Sequence, residues 1–448
     1  MLYHNQFLLD NNRSKIAKRN IGLSFIAKML TIVCTLLQIP ASLSILSKTE
    51  YGIWLTMYSV FGWFLIFDLG IGSGLKNKLT IALAKNDIVL AKKYVSTAYI
   101  SIGILVIILI GIFLILFPFI NWVGFFNAPG FEEKSFGSIV LICGICTLVA
   151  FVINLVHSIL YSSQRVGVSN LLLFIPQFLV LIITYVLKCL HVHSLLLVIS
   201  FFVAIPLLSN MAYTLYAFKK TYKEISPDFK FYDRASLDDI LGFGLKFFVL
   251  QVSLLVIYFT DNIFISHFYT PSKVTEYNIV VRYFSVITVV FSVITSPMMA
   301  LYTDAFAKDD YQWISRQVKK LTKIWGLLIV GAFCMFFLSS FAFHIWIGNS
   351  FNVPPLLVMF VGVYTIQCIW ISIFNVPING IGKIKLQVTY SFIAAIANIL
   401  LILFLHKLLN NVNSIVIANI ITLLVPSGLA YIQYRLVITK RSKGIYDQ

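Results

Sequence analysis

"IFDLGIGSGLKNKL", residues 66–79, places one acid, Asp68, before three glycines at alternate positions, Gly70, Gly72 and Gly74, and then two bases, Lys76 and Lys78. Glycine beside lysine is the composition of a phosphate-binding loop, and a nucleotide site would point to a soluble enzyme. The spacing does not agree. A Walker loop needs G-x-x-x-x-G-K-[ST] between a strand and a helix, and the dinucleotide fingerprint needs G-x-G-x-x-G after a strand. "GIGSGLK" fits neither, and the run before it, "GIWLTMYSVFGWFLIF" (52–67), is apolar over the length of a helix. The stretch therefore reads as the inner end of a membrane helix. Asp68 stands at the last intramembrane turn, the glycines let backbones pack closely, and the lysines stop transfer at a polar surface.

The rest of the chain agrees with that reading. Of its 448 residues 59% are apolar and 11% charged, against about 25% charged in an ordinary soluble domain. Runs of about 20 apolar residues, enough to cross a hydrocarbon core of roughly 30 Å as helix, recur throughout. They predict twelve spans, at 20–40, 52–72, 94–117, 137–161, 168–187, 195–218, 241–265, 277–302, 321–345, 355–377, 387–407 and 414–434. The longest breaks, 73–93, 219–240 and 303–320, are too short for a soluble domain of normal size. The expected class is an all-α integral membrane protein with about twelve transmembrane helices. The first apolar run reaches a full span with no small-residue cleavage pattern after it, so no removable signal peptide is expected.

A formal net charge of +17 invites a nucleic-acid reading, but such bases should gather on one soluble face. Here they alternate between loops. With the N-terminus placed inside, 26 of the 34 Lys and Arg residues fall in cytoplasmic segments and five in the opposite ones. That asymmetry is the positive-inside rule and puts both termini in the cytoplasm. The same surplus would hold anionic lipid headgroups, so no nucleic acid is needed to explain it. Cysteine and histidine supply no metal set, since neither C-x-x-C at Cys143 and Cys146 nor "CLHVH" (189–193) has further ligands at the right spacing. No cofactor and no metal is expected.

The chain repeats itself. "TEYGIW" (49–54) pairs with "TEYNIV" (275–280), and "ALAKND" (82–87) pairs with "AFAKDD" (305–310), in order and at nearly the same offset. This argues for duplication of a six-helix unit, with lobes at 1–230 and 231–448. Six is even, so both copies start on the same side, related by a pseudo-two-fold axis along the membrane normal. Parallel repeats of this kind characterise transporters.

Charges at membrane depth are costly and mark pathways or pairings. Lys28, Lys246 and Arg282 are the bases inside predicted helices, and Asp68 and Asp261 the acids. Asp68 could pair structurally with Lys28 or Lys246. Asp261 and Arg282 reach similar depth in an antiparallel hairpin, which predicts a salt bridge between them. The functional alternative has Arg282 holding an anion while Asp261 binds a proton or cation. Asn154 and His157 share a face of the fourth span, and Gln251 joins other amides spread over the helices. Such groups suit a sugar-handling cavity, and interhelical hydrogen bonds use them equally.

Several segments carry a family likeness: "PASLSILSKTEYGIW" (40–54), "FDLGIGSGLKNKLTIALAKND" (67–87), "GLKFFVLQ" (244–251), "FTDNIFISHF" (259–268), "YFSVITVVFSVITSPMMALYTDAFAKDDYQW" (283–313) and "NGIGKIKLQ" (379–387). Together they resemble the bacterial O-antigen and capsular polysaccharide flippases, within the multidrug, oligosaccharidyl-lipid and polysaccharide exporter superfamily. The resemblance implies two six-helix lobes around a central cavity. It also implies translocation of an undecaprenyl-diphosphate-linked oligosaccharide from the cytoplasmic to the periplasmic leaflet of the inner membrane, by alternating access coupled to a proton or sodium gradient. Cavity cations hold the diphosphate in such proteins, which makes Lys28, Lys246 and Arg282 the candidates, with Lys76 and Lys78 at the cytoplasmic mouth. A polysaccharide polymerase and a chain-length regulator are the implied protein partners. Two rival readings are a cation-coupled small-molecule or drug exporter on the same fold, and a membrane-embedded polysaccharide polymerase or glycosyltransferase. For the enzyme reading the chain lacks both a large extracytoplasmic loop and a cytoplasmic nucleotide-sugar domain, so a non-enzyme is expected.

Overall fold

The computed structural model describes residues 2–64, 70–295, 298–348 and 353–447, with the side chains of 2–21, 243–247, 249–259, 300, 307 and 447 outside the description. Among these residues there is no strand. The α-helices are α1 (Leu2–Leu43), α2 (Lys48–Gly62), α3 (Ile71–Ala84), α4 (Ile88–Leu116), the short α5 (Trp122–Phe125), α6 (Glu133–Ser162), α7 (Val166–Cys189) and α8 (Leu195–Tyr216). After a linker of short helical turns come α9 (Arg234–Phe268), α10 (Pro271–Thr295), α11 (Met298–Ala307), α12 (Tyr311–Ile347), α13 (Pro355–Ile381), α14 (Lys385–Leu409), α15 (Asn413–Thr422) and α16 (Leu424–Ile438).

Ten helical segments among the described residues are long and apolar enough to cross a membrane. The second and seventh predicted spans are not among them. The seventh falls on α9, many of whose side chains lie outside the description, and the second ends in residues 65–69, which also lie outside it. The eighth span, drawn as 277–302, falls on α10 and the start of α11, with residues 296 and 297 between them outside the description. Two predictions need correction. The break expected at 73–93 contains a helix, α3, whose first turn is entered through Gly70 at φ 76°, a left-handed conformation that suits glycine. The twelfth divides at Leu423 into α15 and α16.

Local caps set where the helices start. Ser47 and Glu50 form a reciprocal capping box on α2, the Ser47 Oγ accepting from the Glu50 N–H and the Glu50 carboxylate from the Ser47 N–H, worth about 1 kcal/mol in typical cases. The duplicated "ALAKND" and "AFAKDD" segments fold alike. Asn86 and Asp309 are both left-handed, at φ 55° and 57°. The N–H groups of Asp87 and Asp310 reach back to the carbonyls of Ala82 and Ala305, at 3.0 and 2.9 Å, which is a Schellman closure. Asp87 and Asp310 then cap the next helix, accepting from the N–H of Leu90 and of Trp313. Further left-handed positions recur at equivalent junctions, Gln164 before α7 with Gly382 before α14, and His191 after α7 with Asn410 after α14. The repeat seen in two short motifs is thus a repeat of turn chemistry along both halves.

The helices form two compact units, Met1–Glu50 with Val60–Phe248, and Tyr51–Ser59 with Val249–Gln448. In the first, α3, α4 and α6 enclose a core that includes Leu75, Leu79, Val95, Ile102, Leu148 and Ile159, and α1 packs along α7. Gln38 on α1 donates to Thr184 on α7 at 2.9 Å, and Asn170 on α7 donates to Ser24 on α1. In the second, α13 is the central helix, touching α10, α11, α12, α15 and α16. Its Gly362 faces the Phe284 ring, and the Thr303 hydroxyl of α11 donates to its Gly380 carbonyl at 2.7 Å. Interhelical bonds of this kind contribute about 0.6–2 kcal/mol each inside a membrane.

Candidate functional site

Asp261 on α9 is the one charged side chain in the buried class among the described residues, with 2% of its surface exposed. Two donors converge on a single oxygen. The Tyr277 hydroxyl of α10 donates to Oδ2 at 2.6 Å, and the Asn419 amide of α15 donates to the same atom at 2.8 Å. Oδ1 is buried and has no hydrogen-bond partner among the described residues. Asn398 on α14 donates to the Asn419 carbonyl oxygen at 2.7 Å, fixing which end of Asn419 faces the acid, and its own Oδ1 has no partner among the described residues. Both asparagines are fully buried. Beside them Asn278 donates to Asn262 at 2.7 Å, and Asn262 donates to Ser59 at 2.8 Å.

Four helices of the second unit and the Tyr51–Ser59 part of α2 thus supply a polar cluster in an apolar setting. A carboxylate with both donors on one oxygen keeps its charge only at a high desolvation cost unless the other oxygen also finds a partner. A proton or a small cation at Oδ1 would supply it. The arrangement is thus one that a positive charge would complete, and among the described residues no group of His, Cys, Asp and Glu is placed to hold a metal ion.

The predicted salt bridge between Asp261 and Arg282 is not there. Asp261 bonds to Tyr277 and Asn419, while Arg282 is exposed on α10. The prediction matched depth along two helices, but rotation about the α10 axis turns Tyr277, rather than Arg282, toward α9. Asn398 and Asn419 were indistinguishable in the sequence from other scattered amides. A sharper signal was their placement on successive helices after the only deep acid of the second half.

The other predicted residues are dispersed. Lys28 is exposed on α1 in the first unit and Arg282 on α10 in the second; neither has an acidic partner among the described residues. Asp68 lies outside the described residues, as do the side chains of Lys246 and Gln251. Lys76 lies over the Tyr161 ring, 4.8 Å from its centroid. Lys78 pairs with Asp239 at 3.2 Å. Asn154 accepts from Asn210 at 3.0 Å, and His157 Nδ1 bonds the Ser169 hydroxyl at 2.8 Å while its Nε2 is buried without a partner among the described residues. Asn154 and His157 therefore tie α6 to α8 and α7.

The sequence profile described as "Polysaccharide biosynthesis protein" matches residues 17–302. A protein of Yersinia pseudotuberculosis named for O-antigen export is 23% identical over 384 residues, covering 80% of this chain and 82% of its own length. Among solved structures, a multidrug resistance MATE family transporter of the MOP superfamily in an inward-facing conformation aligns at a TM-score of 0.74 and 13% identity, over 93% of this chain and 98% of that one. An outward-facing conformation described in the same terms aligns at 0.66 and 12%, over 95% and 96%. A MOP superfamily transporter from Pyrococcus furiosus, described as having a binding pocket of reverse polarity, aligns at 0.64 and 13%, over 96% and 97%. At these identities the structural likeness concerns the fold alone.

Proposed function

This chain belongs to the polysaccharide biosynthesis protein family and is a multi-pass protein of the bacterial inner membrane, and from that premise we propose that it is a flippase for a lipid-linked oligosaccharide. The cargo is an undecaprenyl-diphosphate-linked repeat unit of O-antigen or capsule, moved from the cytoplasmic to the periplasmic leaflet by alternating access. In this reading twelve spans form two six-helix lobes, 1–230 and 231–448, related by an axis along the membrane normal, with both termini inside. Lys28, Lys246 and Arg282 hold the diphosphate, Lys76 and Lys78 line the cytoplasmic mouth, and the protein makes and breaks no covalent bond. A polymerase and a chain-length regulator act on the product.

The observation that carries this reading is the family match across residues 17–302, and the relative named for O-antigen export supports it. A deletion strain should lose surface polysaccharide and accumulate the lipid-linked precursor on the cytoplasmic side. Normal polysaccharide with no accumulation would sink the proposal, and drug hypersensitivity alone would favour the small-molecule exporter.

Asp261 is the proposed coupling residue, on the ground of its bare buried oxygen. Asp261→Asn keeps an acceptor for Tyr277 and Asn419, so it should fold with stability within about 1 kcal/mol of wild type. Transport in vesicles should then stop responding to an imposed proton or sodium gradient. A variant that folds and still responds would remove Asp261 from the coupling path.

A further inference from the structure

α12 runs for 37 residues, about 55 Å at 1.5 Å per residue, against a hydrocarbon core of roughly 30 Å. Its first four turns, which carry the charged residues, therefore stand outside the core. On them Arg316, Lys319, Lys320 and Lys323 are all exposed and, at spacings of three and four residues, share one face. The opposite face, Ile314, Val318 and Leu321, is buried. No acid lies within ion-pair distance of any of the four among the described residues, whose ion pairs are formed by other lysines.

Two observations say what the stripe meets. The same face continues without a turn into Leu327, Val330, Phe337, Phe341 and Ile345, each 57–69% exposed. That is a lipid-facing surface, so the bases stand over the lipid and not over a protein neighbour. Along the axis Lys323 is about 6 Å from Leu327 and Arg316 about 16 Å, and long side chains reach back toward the headgroup layer. The duplicated half supplies the comparison. α4 starts from the same aspartate cap as α12, but its Lys92 pairs with Asp228 at 3.7 Å and lies over the Phe231 ring. There the linker after α8 brings acids onto the basic turn. The corresponding segment after α16 reads "ITKRSKG" (438–444) and brings further bases.

We propose that the Arg316, Lys319, Lys320 and Lys323 face of α12 is a binding stripe for the phosphate headgroups of anionic phospholipids. The lipid supplies from outside the negative charge that the linker supplies to α4 from within. The stripe is distinct from Lys28, Lys246 and Arg282, and it needs no oligosaccharide.

Purified full-length protein titrated with phosphatidylglycerol or phosphatidylcholine, with bound lipid counted by native mass spectrometry, tests this. Wild type should prefer phosphatidylglycerol by about tenfold or more. The R316Q/K319Q/K320Q/K323Q variant should lose that preference, while R316K/K319R/K320R/K323R and a linker control, K219Q/K220Q/K223Q/K230Q, should keep it. Equal preference in the glutamine variant, or equal loss in the linker control, would overturn the assignment. Because no cargo lipid is present, either result leaves the flippase reading to its own test.

Discussion

A methyl group on Gly74 would stand 2.1 Å from the Ile240 carbonyl oxygen, so α3 and the start of α9 meet backbone to backbone. The role of the glycine run in close packing was legible in "GIGSGLK"; its partner was not, because Ile240 is distant in the chain. Gly74→Ala should lower stability by about 2 kcal/mol or more. Gly103→Ala, where nothing lies within 4 Å, should stay within about 0.5 kcal/mol. Thermal unfolding in detergent compares the two, and equal melting would deny the close contact its role. The neighbouring lysines show the same limit. A stop-transfer role for Lys76 and Lys78 follows from charge and position, whereas the Tyr161 ring and Asp239 are found only in three dimensions.

At the scale of elements, the linker between α8 and α9 is fastened to α4. The Ser96 hydroxyl accepts from the Asp228 N–H at 3.1 Å, and that of Thr97 from the Asp233 N–H at 3.0 Å. Just beyond the linker, Tyr94 donates to Asp239 on the first turns of α9 at 3.0 Å. Losing the first two bonds in S96A/T97V removes about 2 kcal/mol, which predicts roughly 30-fold faster tryptic cleavage between Lys219 and Arg234. Unchanged cleavage would mean that the linker is held elsewhere. Acid should loosen the same strap. The Ser236 hydroxyl, with Lys93 nearby, holds the Asp233 carboxyl below the usual carboxylate range. That stabilisation is complete above the unfolded value of about 4 and is lost as pH falls through the lower folded value, so Asp233→Asn should flatten the acid limb of the cleavage profile. None of these bonds shows in the sequence, where 219–240 reads as a plain basic break. The caps at Asp87 and Asp310 are different, since an aspartate before an apolar run is a local signal.

Topology belongs to the whole molecule. The proposed topology, with both termini inside, would put the end of α7 outside, and Cys189 there is exposed. In a Cys334→Ser background, a membrane-impermeant maleimide should label Cys189 in intact spheroplasts, and label a cysteine introduced at Lys443 only after permeabilisation. The reverse pattern would invert the topology.

Helix class, membrane location and family all follow from the sequence, because each rests on a sum over many residues or on local periodicity. Hydropathy accumulates over 20 residues, charge asymmetry over 34 bases, and a Schellman turn within six. Which polar groups meet was decided by tertiary structure alone. Asp261 could be placed in depth from its position on a helix, but its partners depend on how α10, α14 and α15 rotate about their axes. That rotation is set by packing of faces far apart in the chain, so the expected arginine gave way to a tyrosine and an asparagine.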